Sequence, residues 1–337
     1  MTDTVTTTDT LTTAAATTGS AFAAAPAGRR VAAGLEELIG NTPLVRLDLE
    51  GAHPTVEVLG KLESANPLST SKDRAALFML RAAEQRGELE PGGTVVEATS
   101  GNTGISLAAL AAARGYRCVI VLPDSATAER VGMLKALGAE VVQTPRAEGY
   151  PGAIARAEQI HLATPGSWFP KQHENEDNVR AHYETTGPEI WADTAGRVDV
   201  LVAGVGTGGT LTGIARYLKE RNPALEVVAV EPESSPVLST GVGGLHRIPG
   251  LNGGFVAPTT DVSVIDQVLT CSDDAALAAA RALARRQGLF VGVSSGAAAY
   301  GAALLAARPE YSGKTVVTVL PDTGERYLSI WSEPDAG

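Results

Sequence analysis

Val198-Asp199-Val200-Leu201-Val202-Ala203-Gly204-Val205-Gly206-Thr207-Gly208-Gly209-Thr210 decides the fold class of this 337-residue chain. A mostly apolar run over 198–203 meets a glycine-rich turn, a helical pattern follows over 211–220, and a second apolar run occupies 227–230. Strand, turn, helix and strand make a βαβ unit. Strands apolar on both faces belong to a parallel sheet covered by helices on each side. The same rhythm predicts strands at 94–98, 117–122, near Phe290 and at 315–320, with helices from the turn after residue 98 to about 114, over 129–137 and 275–287, and from 297. The chain reads as α/β with two sheets, and no repeat of 20 to 50 residues suggests a solenoid.

Composition narrows the function. At 44% hydrophobic and 19% charged residues the chain is globular, and its length suits two domains of about 150 residues each. Lys and Arg total 27 against 38 acidic residues, a net charge of −11, which argues against nucleic acid as a partner. Cys118 and Cys271 form no CxxC pair, which excludes a disulfide scaffold or structural zinc, and the five histidines show no metal-ligand spacing. No apolar run reaches the roughly 18 residues of a membrane span and no secretory signal opens the chain, so no membrane association and a cytoplasmic location are expected. Residues 1–30, with ten threonines and many alanines, are expected to be a disordered tail; Asp3 and Asp9 weigh against a transit peptide.

Three turns carry the candidate chemistry. The first, Gly204 to Thr210, sets backbone N–H groups at a helix start, where a phosphate is the natural guest. Gly204, Gly206 and Gly209 also satisfy GxGxxG, with Glu231 at the end of the next strand, so an NAD-dependent oxidoreductase is an alternative from a different class. The second, Gly292-Val293-Ser294-Ser295-Gly296, matches the GxSxG nucleophile elbow, but no histidine follows it, and Ser294 could be a helix cap. The third, Thr99-Ser100-Gly101-Asn102-Thr103-Gly104, gathers more donors at a helix start than a cap needs and suits a carboxylate. Upstream, Lys72 opens a helical run; beside the helix dipole its pKa should fall, as a Schiff-base lysine requires, the plain alternative being a solvated surface lysine next to Asp73.

Taken together, these residues resemble the cysteine synthase and cystathionine β-synthase family of pyridoxal-phosphate enzymes, above all the O-acetylserine sulfhydrylases. The resemblance runs from Leu38-Ile39-Gly40-Asn41-Thr42-Pro43-Leu44 to Leu320-Pro321-Asp322-Thr323-Gly324-Glu325-Arg326-Tyr327-Leu328-Ser329. It implies fold type II, tryptophan synthase β-like, with a smaller domain over 66–174 that includes a mobile lid. A larger domain would combine 31–65, as a crossover, with 175–330. It implies pyridoxal 5'-phosphate bound to Lys72 as a Schiff base, its ring hydroxyl at Asn102, its pyridine nitrogen at Ser294 and its phosphate on Gly206, Thr207, Gly208, Gly209 and Thr210. The substrate would lie on Thr99, Ser100, Gly101, Thr103, Gln172 and Gly250, and no metal is implied.

The activity implied is β-replacement on an activated serine, O-acetyl-L-serine and sulfide giving L-cysteine and acetate, in a homodimer that could pair with a serine acetyltransferase. Another activated serine, such as O-phosphoserine, or another nucleophile, in cystathionine-type or specialised amino-acid synthesis, is the alternative within this chemistry. The departures from the family pattern concern that choice. Thr70 and Thr127 stand for serines, 239–246 is short, Asn252 replaces a glycine and should add bulk at the cleft mouth, and Gln172-His173-Glu174-Asn175-Glu176-Asp177-Asn178 replaces a more usual Gln-Phe-x-Asn-Pro-Ala-Asn.

Overall fold

The computed structural model describes residue 1 and residues 31–99 and 101–331, so the expected tail over 2–30 lies outside the described residues. Contacts divide the chain at residue 32, and the elements that follow lie in the second unit. In chain order the elements are β1 (Leu44–Arg46), β2 (Glu57–Leu62), α1 (Lys72–Arg86), β3 (Thr94–Ala98), α2 (Asn102–Arg114), β4 (Arg117–Pro123), α3 (Ala128–Ala136), β5 (Glu140–Thr144), α4 (Gly149–Ala163) and β6 (Ser167–Trp168). There follow α5 (Glu176–Ala181), α6 (Gly187–Asp193), β7 (Val200–Gly204), α7 (Gly209–Lys219), β8 (Glu226–Pro232), α8 (Val237–Thr240), β9 (Gln267–Cys271), α9 (Asp273–Gln287), α10 (Val293–Ala306) and β10 (Thr315–Leu320).

Two sheets result. One has four strands in the order β5-β4-β3-β6, all parallel; the other has six, β1-β2-β10-β7-β8-β9, parallel except for the β1–β2 pair. The central strands are the apolar runs of the sequence: all five residues of β3 and all six of β10 are buried. Side chains leave alternate faces of a strand, so each sheet feeds a core on each side. Val200, Val202 and Val316 pack with α9 and α10, and Leu201, Ala203, Val317 and Val319 pack with α6 and α7. The four-stranded sheet does the same, placing Val95 and Ile120 against α1 and α2, and Val96 and Val121 against α4.

One predicted strand is absent. Near Phe290 the chain makes only an isolated bridge, Val291 to Thr323, because Gly288 ends α9 in the left-handed conformation and Gly292 already precedes α10. Held between two helix ends, the segment pairs no further than that one bridge.

A buried ion cluster braces the joint between α1, β2 and α6. Arg74 is 1% exposed and meets Glu63 at 2.8 and 2.9 Å and Glu189 at 2.6 and 2.7 Å, while Lys61 reaches Glu189 at 2.9 Å. Cys118 and Cys271 are buried free thiols.

Candidate active site

In open parallel sheets ligands bind beyond the carboxyl ends of the strands. Here β3, β7 and β10 end at Ala98, Gly204 and Leu320, and the loops that follow wall one cavity of about 340 Å³. Lys72, Thr99, Gly101, Asn102, Thr103, Gln172, Gly206, Thr207, Gly208, Thr210, Gly250 and Ser294 all line it. Gly209 opens α7 directly behind the wall, and Ser100 lies outside the described residues.

Lys72 is the first residue of α1, and among the described residues its amine has neither a hydrogen bond nor an ion pair. Burial pushes its pKa down, while the carboxylates of Asp322 and Glu63 pull the other way. The fall expected from the sequence has burial as its largest cause, and the neighbouring carboxylates oppose it. The surface-lysine reading also falls. Asp73 turns away from Lys72, accepting from Leu68 N at 2.8 Å and Ser106 Oγ at 2.6 Å, and its burial raises its carboxyl pKa to about 6.

Two helix starts face the cavity without a side-chain cap, α2 after Gly101 and α7 after Gly208, so their leading N–H groups are open to an anion. At α2, Thr103 Oγ1 donates to Gln172 Oε1 at 2.6 Å, which joins two predicted substrate residues from distant parts of the chain. At α7 the glycines are dictated by what closes over them. A Cβ on Gly206 would stand 2.2 Å from the Gly250 carbonyl oxygen and one on Gly209 2.4 Å from Asn178 Oδ1. Gly208, at φ +82°, would meet Thr260 Oγ1 at 2.0 Å. Asn178 Nδ2 donates to Thr207 Oγ1 at 3.0 Å and Thr259 Oγ1 to the Thr207 carbonyl at 2.5 Å, so the loop is held rigidly from outside.

The chain matches known proteins over most of its length. Residues 35–322 fit the family described as pyridoxal-phosphate dependent enzyme. The chain belongs to that family. It is 45% identical over 296 residues to a cysteine synthase of Staphylococcus aureus, an alignment covering 88% of this chain and 95% of that one. The crystal structure of a cysteine synthase from Entamoeba histolytica superposes with a TM-score of 0.88 at 39% identity, over 92% of this chain and 93% of the other. An O-ureido-L-serine synthase superposes at 0.87 and 41% identity, over 91% and 98%.

This pyridoxal-phosphate enzyme therefore has the type II fold expected of it, and its cofactor is pyridoxal 5'-phosphate. The cavity suits that group chemically: an amine whose pKa burial lowers, for an aldehyde, and an uncapped helix start flanked by Thr207 and Thr210 for a phosphate. His182, whose pKa burial lowers well below the usual value, contacts Thr210 Oγ1 at 3.1 Å from behind the loop.

The NAD alternative fails on Glu231. Its side chain is fully buried and accepts from Leu238 N at 2.7 Å and Ser239 N at 3.0 Å, tying down the start of α8, so no carboxylate is left for a ribose. Ser294 is no helix cap either. Gly292 precedes α10 and no side chain caps it, while Ser294 sits one residue inside the helix with 4% exposure, facing the cavity.

Asn252 also departs from expectation. It adds no bulk at the cleft, being buried with its amide donating to the Ser235 carbonyl at 3.0 Å and accepting from Ser235 Oγ at 2.8 Å. Sequence reasoning assigned no site role to Ser71, Arg130, Tyr150, His173, Asp322 or Tyr327, all of which line the cavity. Asp322 and Tyr327 stood inside a quoted motif and His173 beside Gln172; Tyr150 carried no signal.

Proposed function

We propose that this enzyme carries out β-replacement on an activated L-serine, converting O-acetyl-L-serine and sulfide to L-cysteine and acetate. The observation that carries the reading is the convergence of the Lys72 amine, the α2 start and the α7 start on one cavity. When bound, pyridoxal phosphate withdraws electron density from the substrate Cα and so eases loss of the Cα proton and of the β-substituent. Lys72 would hold the cofactor through its amine, and the same amine would move the Cα proton as base and then as acid. Gly206, Thr207, Gly208, Gly209 and Thr210 hold the phosphate, Asn102 the ring hydroxyl and Ser294 the ring nitrogen. Thr99, Ser100, Gly101, Thr103, Gln172 and Gly250 take the substrate, with the carboxylate on the α2 start.

A neutral hydroxyl at Ser294 cannot keep the ring nitrogen protonated as a carboxylate would, which suits elimination over transamination. Segment 66–174 acts as the smaller, lid-bearing domain, supported by the separate cores of the four-stranded sheet. Closing it over the cavity would exclude water from the reacting carbon. A homodimer, a cytoplasmic location and a serine acetyltransferase partner rest on the family resemblance. No helix among the described residues is long and apolar enough to cross a membrane.

The test is cysteine formation by the purified holoenzyme from O-acetyl-L-serine and sulfide, beside O-phosphoserine and serine. Turnover with O-acetyl-L-serine is expected, and activity confined to another donor would replace this assignment. A second reading, with a nucleophile other than sulfide, is supported by the likeness to an O-ureido-L-serine synthase.

A further inference from the structure

Arg326 follows β10 on the segment that carries Asp322 and Tyr327, half-buried and outside the set of residues that line the cavity. Its guanidinium nevertheless touches one that does: Nη1 donates to Asn102 Oδ1 at 2.5 Å, and Nη2 donates to the Leu68 carbonyl. A guanidinium only donates and stays charged, so the end of the Asn102 amide that meets it is the oxygen. This settles a choice the amide alone leaves open, since its two ends are nearly the same shape. Nδ2 gives one hydrogen to Asp322 Oδ2 at 2.7 Å and has a second to give, and Asn102 is half-buried and lines the cavity. A cation on the amide oxygen also strengthens the N–H donor at the far end. The second arm of Arg326 reaches the turn into Lys72, where Leu68 N donates to Asp73 Oδ2 at 2.8 Å and Ser71 N to the Pro321 carbonyl at 2.8 Å.

We propose that Arg326 is a positioning residue for the cofactor, holding the Asn102 amide in the one orientation that presents an N–H to the ring hydroxyl. The proposal rests on the assignment of Asn102 to that hydroxyl above. On pyridoxal phosphate the aldehyde and the ring hydroxyl occupy adjacent ring carbons, so the amine that takes one and the amide that faces the other must be held in register. One guanidinium does so by joining Asn102 to the turn that opens α1 at Lys72. An N–H donated to the ring oxygen favours its anionic form, with the proton on the imine nitrogen that Lys72 supplies, and this form absorbs in the visible. Without the donor the proton shifts from that nitrogen to the ring oxygen, and absorption moves to the near ultraviolet. Arg326 acts through Asn102 and takes no proton itself.

The experiment reads the ratio of visible to near-ultraviolet absorbance of the holoenzyme at neutral pH, together with cofactor affinity by equilibrium dialysis. Neither needs turnover, so the result stands apart from the choice of substrate. Arg326→Met keeps the length of the side chain and removes every donor. The ratio is expected to fall about fivefold in R326M, with affinity lowered by a similar factor. Asn102→Ala should produce a fall at least as large, and adding R326M to it should change nothing further, because Arg326 acts through the amide. A ratio in R326M within about twofold of wild type, or a further fall of more than about twofold in the double variant, overturns the proposal. If R326M fails to fold, Arg326→Gln, whose own amide can meet either end of Asn102, should lower the ratio in the same direction, and an unchanged ratio there overturns it. Asn102→Ala with the wild-type ratio refutes the assignment of Asn102 on which the proposal rests, whereas a shift in N102A with none in R326M refutes the role of Arg326 alone.

Discussion

Asn102 Nδ2 donates to Asp322 Oδ2 at 2.7 Å, tying the first residue of α2 to the loop after β10. The bond joins elements of the two sheets across the cavity wall, since α2 packs on the four-stranded sheet and β10 lies within the six-stranded one. Asp322 is 1% exposed and also accepts from the Tyr327 hydroxyl at 2.5 Å; burial raises its carboxyl pKa, against these two donors and the charges of Arg326 and Lys72. Asp322→Ala leaves the buried Tyr327 hydroxyl unpaired and Asn102 held only by Arg326, which donates to its Oδ1. The expected cost is about 1–3 kcal/mol of stability, with cofactor binding weakened by up to about tenfold as Asn102 loses one of its two side-chain partners. Urea unfolding and equilibrium dialysis measure the two; full cofactor affinity in the variant would show that Asn102 needs no such anchor.

Gly208→Ala should abolish cofactor binding. The residue has φ +82°, and an added Cβ would lie 2.0 Å from Thr260 Oγ1 and 2.7 Å from Thr260 Cα, so backbone must move. Gly115, at φ +74° with nothing within 4 Å of its would-be Cβ, is the control, expected to cost only about 1–2 kcal/mol for the left-handed conformation. Comparable losses of cofactor in the two variants would mean that strain alone, and not the packed loop, explains the glycine.

Arg74→Met should destabilise the fold by about 3–5 kcal/mol, because it leaves the fully buried Glu63 without its cation. Adding Glu63→Gln should restore part of the loss. A double variant no more stable than the single one would show that the ion cluster does not act as a pair.

Glu97 makes stability depend on pH. Burial, opposed by backbone donors including Ala98 N at 2.9 Å, raises its carboxyl pKa from 4.5 to about 8. A folded-state pKa above the unfolded one means the folded chain binds the extra proton, so this stabilisation is complete below 4.5 and is lost as pH rises through about 8. The slope reaches about 1.4 kcal/mol per pH unit within that window. Glu97→Gln should flatten the stability profile there and be the more stable protein at pH 8; parallel profiles for the two proteins contradict the assignment.

What could be read beforehand follows from where the information lies. Thr94–Ala98 and Thr315–Leu320 are strands buried on both faces, so their apolar runs declare them directly. The Phe290 segment has the same local look, but its fate is set by two helix ends a few residues apart, which no window of apolar residues reveals. The cavity-lining residues at helix starts were legible because these turns carry glycines and hydroxyls in a row. Tyr150 was not: it sits on α4 far from any such turn, and only the packing of α4 on β3 brings its hydroxyl to the Ala98 carbonyl. Asn252 misled for the converse reason, its place in the chain being near the cleft while its side chain turns into the protein toward Ser235.

The proposed hold of Lys72 on pyridoxal phosphate is tested most directly by peptide mapping of the borohydride-reduced holoenzyme. Reduction fixes the cofactor to the amine that carries it, and mass spectrometry of the digest then locates it. The predicted result is a pyridoxyl group on the peptide containing Lys72. Lys61, locked in its ion pair with Glu189, and Lys171, exposed at the surface, should be unmodified. A pyridoxyl group on either of those, with Lys72 free, would contradict the assignment.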